Sequence, residues 1–194
     1  MSKSRSDMAF LFLTACRETA AMTLKLRHVD IANRCVQFDG QGVETKNNKR
    51  FTTFFCPVGA DIEEIFETWV SELKSELLFG PMDPVFPKTE VRRSSRGVFE
   101  PVGVLRAHWA SPGAIVRIFK SAFLAAGLPP FSPHRIRDTL VDLANQHCRT
   151  PEEFKAWSQN VGHDDVLTTL RNYGAVAPGR QREIMARFRD DGED

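Results

Sequence analysis

The spacing of apolar and polar residues along the chain predicts a mostly helical protein with one small sheet. Residues 61–77 show this most clearly, because their large apolar side chains recur at the spacing of one helix face. These side chains are Ile62, Ile65, Phe66, Trp69, Val70 and Leu73. Similar spacing, or a start signal such as Ser6-Asp7 or Ser132-Pro133, predicts further helices. All the predicted helices together cover residues 6–16, 19–26, 61–77, 111–126, 132–148, 151–160, 165–173 and 178–189.

Three short segments between turn signals predict strands near the start of the chain. They are residues 34–38, 43–46 and 50–56, which are rich in phenylalanine, valine and threonine. Gly40 and Gly42 mark the first turn, and an Asn-Asn pair marks the second. We expect a small antiparallel three-stranded sheet and therefore an α+β fold. Residues 79–110 contain several prolines and glycines and predict a long irregular connection.

Composition excludes several classes of protein. No run of eighteen apolar residues exists, so no membrane-spanning helix is predicted. The cysteines are scattered without a C-x-x-C pair, which argues against a zinc site or a redox motif. We expect buried free thiols and a cytoplasmic protein, because unpaired cysteines are typical of a reducing compartment. The four thiols are those of Cys16, Cys35, Cys56 and Cys148.

The formal net charge of +1 hides a strong segregation of charge. Residues 61–90 carry two Lys and Arg against eight Asp and Glu, whereas residues 91–150 carry nine against three. Residues 1–60 are also positive, with nine against five. This pattern favours a local anion-binding surface over a uniformly basic coat, although solvated charged faces remain an equal alternative.

One residue stands out chemically, because Tyr173 is the only tyrosine against fifteen phenylalanines. It follows His163 by ten residues, and His134 and Arg137 lie three apart, on one face of a predicted helix. A phenol has a reference pKa near 10, so a nucleophilic tyrosine needs a base and cations that hold a phosphate. These residues therefore favour a nucleophile with a phosphate clamp.

Each of these features alone has a structural alternative. His134 could simply start a surface helix, and Arg17 could pair with a nearby carboxylate. Lys46, or Lys49 in its place, could serve only the solubility of a hairpin turn. His163 could cap a helix, since the preceding glycine permits the left-handed turn that ends one.

In order and spacing, however, Arg17, Lys46, His134-x-x-Arg137, Gly162-His163 and Tyr173 closely resemble the tyrosine recombinase family of phage integrases. The local motifs agree: Thr14-Ala15-Cys16-Arg17 resembles the first arginine motif, and Pro133 to Thr139 resembles the second. The resemblance covers about residues 8–176. It implies a tyrosine recombinase catalytic domain over residues 1–177, followed by a C-terminal helix and acidic tail over 178–194. The family's N-terminal DNA-clamping domain is expected to be absent from this chain.

The resemblance also implies a reaction. Tyr173 would attack a DNA phosphate and form a 3′-phosphotyrosyl bond, which a 5′-hydroxyl of a partner strand would resolve. Arg17 and Arg137 would neutralise the phosphate oxygens, and His134 would accept the tyrosine proton. Lys46 would protonate the leaving oxygen, and His163 would donate to a phosphate oxygen. No metal, ATP or other cofactor is implied.

Double-stranded DNA is the implied partner. We expect the DNA contacts to come from the helices at 111–126 and 132–148 and from a basic loop at 92–96. The candidate side chains are Arg92, Arg93, Arg96, Arg117, Lys120 and Arg135. Without DNA we expect a monomer, and on DNA a homotetramer held by residues 178–189, although packing of that segment on its own domain is equally open.

Two positions depart from the family pattern. Ala20 occupies the place of an acidic residue that follows the first arginine, with Glu18 nearby, and Asp138 replaces a histidine after the second.

A type IB topoisomerase remains an alternative, although similar topoisomerases tend to have lysine at the position of His134. A non-catalytic DNA-binding relative and a protein-interaction domain are further alternatives, which the complete set of suitable side chains disfavours.

Overall fold

The computed structural model describes residues 3–40, 42–43, 45, 50–162, 178–179, 181–183 and 185, with residue 145 described by its backbone alone. Among these residues, eight of the predicted helices and strands have counterparts. The helices and strands, in chain order, are α1 (Lys3–Thr14), α2 (Glu18–Thr23), a 3₁₀ turn (Leu26–His28), β1 (Val29–Asp30), β2 (Cys35–Phe38), β3 (Phe51–Phe54), α3 (Ala60–Ser75), β4 (Lys88–Arg93), β5 (Phe99–Leu105), α4 (Gly113–Ala125), α5 (His134–His147) and α6 (Pro151–Asn160).

An antiparallel three-stranded sheet with the order β1-β2-β3 lies against the helices, which confirms the predicted α+β fold. One of its strands differs from the prediction. Val43 and Thr45 are not in a strand, and the third strand is Val29–Asp30, which precedes all three predicted segments. The left-handed backbone at Gly40 and Gly42 turns the chain so that Val43 packs into the core instead of pairing.

The helix α1 begins earlier than predicted. It starts at Lys3, so Ser6 and Asp7 lie inside the helix and do not cap it. The Ser6 hydroxyl donates to the Lys3 carbonyl at 2.7 Å, which is a local bond that serine can make within a helix. Both polar residues are buried, so the buried face of α1 includes its first two turns.

The main core forms where α1 packs against α3. Phe10 lies 5.1 Å from both Phe66 and Phe86, measured between ring centroids. The predicted apolar face of α3 is confirmed, because Phe66, Trp69, Val70 and Leu73 are buried. The predicted burial of the thiols is also confirmed, since all four cysteines are free and buried.

The segment predicted as an irregular connection contains a second sheet. The strands β4 and β5 form an antiparallel hairpin, with a register shift between Glu90 and Val91. Most of its side chains are exposed, including Phe99, which is 71% accessible. A hairpin without a buried face has no apolar alternation along its sequence, which is why the pattern did not predict it.

The later helices agree closely with the prediction. Thr150 and Glu153 form a capping box at the start of α6, with Pro151 in its first turn. The described residues 178–179, 181–183 and 185 are helical and exposed, as expected for part of the helix at 178–189. The helix predicted at 165–173 lies outside the described residues. In the part of the chain described, no helix is both long and apolar enough to cross a membrane.

Candidate active site

Arg17 lies at a sharp break between α1 and α2. The break begins at Ala15, whose φ of 51° is in the left-handed region, and whose N–H still donates to the Leu11 carbonyl at 2.9 Å. Arg17 then adopts an extended conformation and precedes the first turn of α2. Its side chain is half-buried. The break in the helix therefore lies directly before the charged side chain of Arg17.

Arg137 is buried, with 7% of its surface accessible, and its guanidinium joins two distant parts of the chain. Nη1 donates to the carbonyl of Ala15, in the break before Arg17. Nη2 donates to the carbonyl of Val161 at 2.6 Å, two residues before His163. One side chain thus brings the first arginine motif, the α5 motif and the start of the histidine motif together.

The two arginines affect each other electrostatically. Burial lowers the pKa of Arg137 below its usual range, and the positive charge of Arg17 lowers it further, while Cys16, Glu18 and Asp138 act in the opposite direction. The lowering by Arg17 reflects repulsion between two positive charges. A phosphate would relieve that repulsion and accept hydrogen bonds from both groups.

His134 is the first residue of α5, one helical turn before Arg137. It is exposed, whereas Pro133 before it and Ile136 after it are buried. The start of a helix carries a partial positive charge, which favours a bound anion. His134 is therefore placed at the solvent-facing end of the helix that holds Arg137.

The turn after α6 leads to His163. Gly162 has a φ of +72°, and its N–H donates to the Gln159 carbonyl at 2.9 Å. Two ring atoms of Phe51 lie 3.3 Å from where a Cβ on Gly162 would be. The turn thus packs against the first residue of β3, the strand that follows the segment containing Lys46.

Three of the expected catalytic residues, Lys46, His163 and Tyr173, lie outside the described residues. Their neighbours in sequence, Phe51 and Gly162, are in contact. Arg137 bonds to the carbonyl groups of Ala15 and Val161, and these partners were not predicted from the sequence. Backbone acceptors leave no signal in residue identity, so no motif could have indicated them.

The two departures from the family pattern have different surroundings. Ala20 is buried in α2, at 4% accessibility, so a carboxylate there would be desolvated. Glu18 and Asp138 both lie near enough to raise the pKa of Arg137. These carboxylates supply negative charge beside the arginines from positions other than the expected one.

The six candidate DNA-contact residues are all exposed, but two of the three that were predicted in a loop lie on a strand instead. Arg92 and Arg93 lie on β4, because the exposed hairpin extends through them, and only Arg96 lies in the connecting turn. The Arg92 guanidinium pairs with Glu90 at 2.8 Å, and Arg93 Nε donates to the Gly97 carbonyl at 3.3 Å.

The remaining three candidates lie on or near helices. Arg117 and Lys120 are on the exposed side of α4, and Ile115 and Phe119 are on its buried side. The Arg135 guanidinium lies over the Phe131 ring, 5.2 Å from its centroid. Among the described residues, no group of three His, Cys, Asp or Glu side chains is placed to hold a metal ion.

Comparison with known proteins finds similarity of structure only. No protein-family model matches the sequence, and no curated protein matches it. XerA recombinase is similar over 96% of this chain and 57% of its own, with 19% identity and a TM-score of 0.58. The Tn1549 transposon integrase in complex with circular intermediate DNA is similar over 94% of this chain and 59% of its own, with 18% identity and a TM-score of 0.57.

The same integrase in complex with transposon right end DNA is similar over 96% of this chain, with 16% identity and a TM-score of 0.58. This chain spans less than two thirds of the length of each of these structures. At these identities the likeness concerns the fold, and it agrees with the sheet and helix order described above. The chain therefore has the fold of the tyrosine recombinase and integrase catalytic domain.

Proposed function

We propose that the chain cleaves and rejoins DNA strands through a covalent bond between Tyr173 and a 3′-phosphate, as a site-specific recombinase. The observation that carries this proposal is the guanidinium of Arg137, which bonds to the carbonyl of Ala15, in the break just before Arg17, and to the carbonyl of Val161. Two arginines at one place, next to the turn that leads to His163, fit the two non-bridging oxygens of a phosphodiester.

The proposed reaction has two balanced steps. The Tyr173 oxygen attacks phosphorus, the bond from phosphorus to the 5′-oxygen breaks, and a 3′-phosphotyrosyl bond forms. His134 takes the phenolic proton, and Lys46 gives a proton to the leaving 5′-oxygen. The 5′-hydroxyl of a partner strand then attacks phosphorus and gives its proton back to Lys46, so that a new phosphodiester bond forms. The bond from phosphorus to the Tyr173 oxygen breaks, His134 returns the proton to the phenolate, and the energy of the bond is conserved.

Arg17 and Arg137 supply the positive charge in this scheme, and His163 donates to a phosphate oxygen. A single donor to the transition state typically contributes about 10²–10³ in rate. A positioned acid or base contributes about 10²–10⁴. We therefore expect strand cleavage without ATP, and we expect it to continue in EDTA; a reproducible loss in EDTA would contradict the scheme.

Double-stranded DNA is the proposed partner, and the cytoplasm, or the nucleoid of a bacterium, is the proposed location. The solved Tn1549 integrases hold DNA, which supports this choice. The exposed cations on β4, the hairpin turn, α4 and α5 are proposed to contact phosphates. Phosphate contacts position a protein on DNA, and base contacts give sequence specificity.

The C-terminal segment is proposed to join copies of the chain into a tetramer on DNA. Its described residues are all exposed, and Met185 is 55% accessible, which leaves surface for a neighbouring copy to cover. Light scattering should give the mass of a monomer without DNA and that of a tetramer with a synapsed DNA substrate. A tetramer that forms without DNA would contradict this part of the proposal.

A nicked suicide substrate tests the proposed reaction. Cleavage near the nick releases a short strand, so the covalent protein–DNA adduct accumulates and appears on a denaturing gel. We expect the adduct with the wild-type chain and none with Tyr173→Phe. Relaxation of a supercoiled plasmid without exchange between two sites would instead assign a topoisomerase, and DNA binding without an adduct would assign a binding module.

A further inference from the structure

The side chain of Asn160 joins the end of α6 to β3. Its Oδ1 accepts a hydrogen bond from the Phe54 N–H at 2.7 Å, and its Nδ2 donates to the Phe54 carbonyl at 2.9 Å. The side-chain amide thus pairs with both backbone groups of one strand residue, as a peptide group of a neighbouring strand would. Nδ2 also lies 3.6 Å from the Cys56 sulfur.

This attachment uses an edge of the sheet that would otherwise be unpaired. In the order β1-β2-β3, β3 pairs with β2 on one side only. The Phe54 N–H and carbonyl are on the other side. The hydrogen bonding toward β2 continues instead through the Phe55 N–H, which donates to the backbone carbonyl of Arg34. Unpaired edge groups are satisfied by water or by another part of the chain, and here Asn160 satisfies them.

The backbone of Asn160 is held as well. The Thr53 hydroxyl, which is fully buried, donates to the Asn160 carbonyl at 2.9 Å. The next carbonyl along the chain, that of Val161, accepts the hydrogen bond from Arg137. Two successive carbonyls are therefore fixed, one by β3 and one by the buried guanidinium.

We propose that Asn160 is a positioning residue for the proposed strand cleavage. Its hydrogen bonds to β3 hold the end of α6 in place. They thereby hold both the Val161 carbonyl, which orients Arg137, and the turn that leads to His163. Asn160 does not itself touch the DNA in this scheme. Its side-chain amide acts through Arg137, since the guanidinium keeps its direction only while both of its carbonyl partners stay in place. The inference rests on the proposed function for its catalytic consequence and on the hydrogen bonds alone for its geometry.

The Asn160→Leu variant tests this role, because leucine has the same branched outline as asparagine and cannot form either hydrogen bond to Phe54. The matched control is Gln159→Leu, one residue earlier in the same helical turn, where the side chain is exposed. We expect Asn160→Leu to slow adduct formation on the suicide substrate about 10- to 100-fold at saturating DNA, because a displacement of about 1 Å at a reacting centre can cost about that much. The Kd for DNA should not change, and Gln159→Leu should match the wild type.

A second measurement does not depend on DNA chemistry. In nitrogen-15 NMR spectra, the side-chain N–H protons of Arg137 should exchange slowly with water in the wild type and in Gln159→Leu, and faster in Asn160→Leu. If the wild type forms no adduct, the proposed function fails, and this exchange rate alone decides whether Asn160 positions Arg137. Unchanged exchange in Asn160→Leu would overturn the inference even where the proposed function holds.

A third variant covers a failure to fold. Asn160→Asp keeps the size of the side chain and the acceptor for the Phe54 N–H but loses the donor to the Phe54 carbonyl. If Asn160→Leu is unfolded by circular dichroism, Asn160→Asp should still slow adduct formation and speed the exchange of the Arg137 protons. A wild-type rate and a wild-type exchange in that variant would overturn the inference.

Discussion

Arg137 carries a charge in the buried core, which is unfavourable unless other groups stabilise it. Removing a charged group from water costs several kcal/mol, unless hydrogen bonds and nearby opposite charges offset that cost. Its two carbonyl partners and the carboxylates of Glu18 and Asp138 provide that offset. The side chain is thus held rigidly at the place where Arg17 is also presented, as a preorganised phosphate site requires.

The planar fork of Arg137 is predicted to be essential, and lysine is not expected to replace it. A lysine ammonium keeps the charge but lacks the fixed pair of donors that reaches the Ala15 and Val161 carbonyls. Arg137→Lys should slow adduct formation by about 10²–10³. The matched control is Arg149→Lys, an exposed arginine in the loop after α5, which should form the adduct at the wild-type rate. A wild-type rate in Arg137→Lys would show that the fork has no catalytic role.

Asp7 is a buried carboxyl group in α1, and among the described residues neither of its oxygens has a hydrogen-bond partner. Burial raises its pKa to about 7, and the charge of Lys3 only partly offsets this. Because the folded state keeps the proton that the unfolded state has already released, stability should fall as the pH rises toward 7. Between pH 5 and pH 8 we expect a loss on the order of 2–3 kcal/mol from this group.

The Asp7→Asn variant isolates this effect, since asparagine has the same shape and no charge. Urea unfolding at several pH values should give a variant that is more stable than the wild type at pH 8, with a smaller difference at pH 5. Asp142→Asn, at an exposed position of α5, is the control and should follow the wild type at each pH. A difference between Asp7→Asn and the wild type that does not change with pH would contradict the prediction.

At the scale of elements, the turn after α6 depends on glycine for two separate reasons. Gly162 has a left-handed φ of +72°, and the Phe51 ring lies 3.3 Å from where a Cβ would be. Gly127 has a similar φ of +70° but open space around it, with nothing within 4 Å. The two glycines therefore separate the cost of backbone conformation from the cost of crowding.

Gly162→Ala is predicted to destabilise the protein more than Gly127→Ala does. A left-handed alanine costs about 1–2 kcal/mol, which both variants share. Crowding against Phe51 should add about 1–3 kcal/mol to Gly162→Ala alone. Urea unfolding of both variants checks this, and equal losses of stability would show that Phe51 moves aside without cost.

The elements also show where sequence reasoning succeeds. The helix α3 was predicted because its apolar residues recur on the face that Phe66 and Leu73 bury against α1. The hairpin of β4 and β5 was missed because neither face is buried, so burial imposes no pattern on its residues. The early start of α1 was missed because Ser6 and Asp7 look like a cap, and their burial depends on tertiary packing.

The same limit applies to the candidate site. Arg17, His134 and Arg137 could be singled out because charged and imidazole groups at this spacing resemble the pattern of a known family. The supporting contacts of Arg137 and the attachment of Asn160 to Phe54 could not, because they depend on backbone groups brought together by folding. The residue types that carry out chemistry leave a signal in sequence, whereas the backbone that orients them does not.

At the scale of the whole molecule, the charge is divided between an acidic α3 and the basic residues that follow it. Residues 61–90 are strongly acidic, whereas residues 91–150 are basic, so DNA should approach the surface that the latter form. Binding by this chain alone is predicted to be weak and to fall steeply with salt, because it depends on phosphate contacts. Nanomolar site-specific binding at physiological salt would contradict this.

The double variant Arg93→Ala/Arg96→Ala tests the proposed contacts of the hairpin. Each lost phosphate contact should reduce the slope of log K against log salt by about 0.9, so the double variant should lose up to about 1.8. Arg34→Ala, in the turn between β1 and β2 where Arg34 pairs with Glu63, is the control and should keep the wild-type slope. Fluorescence anisotropy over a series of salt concentrations measures both, and an unchanged slope in the double variant would remove the hairpin from the DNA surface.

In the proposed reaction, the two arginines activate one DNA phosphate for attack by Tyr173. Mass spectrometry of the trapped adduct, after digestion by protease and nuclease, tests this most directly because it identifies the residue that carries the nucleotide. We expect a single modified peptide, in which a 3′-phosphate is linked to Tyr173. A nucleotide on any other residue, a linkage to a 5′-phosphate, or no adduct from a folded wild-type chain that binds the substrate would contradict it.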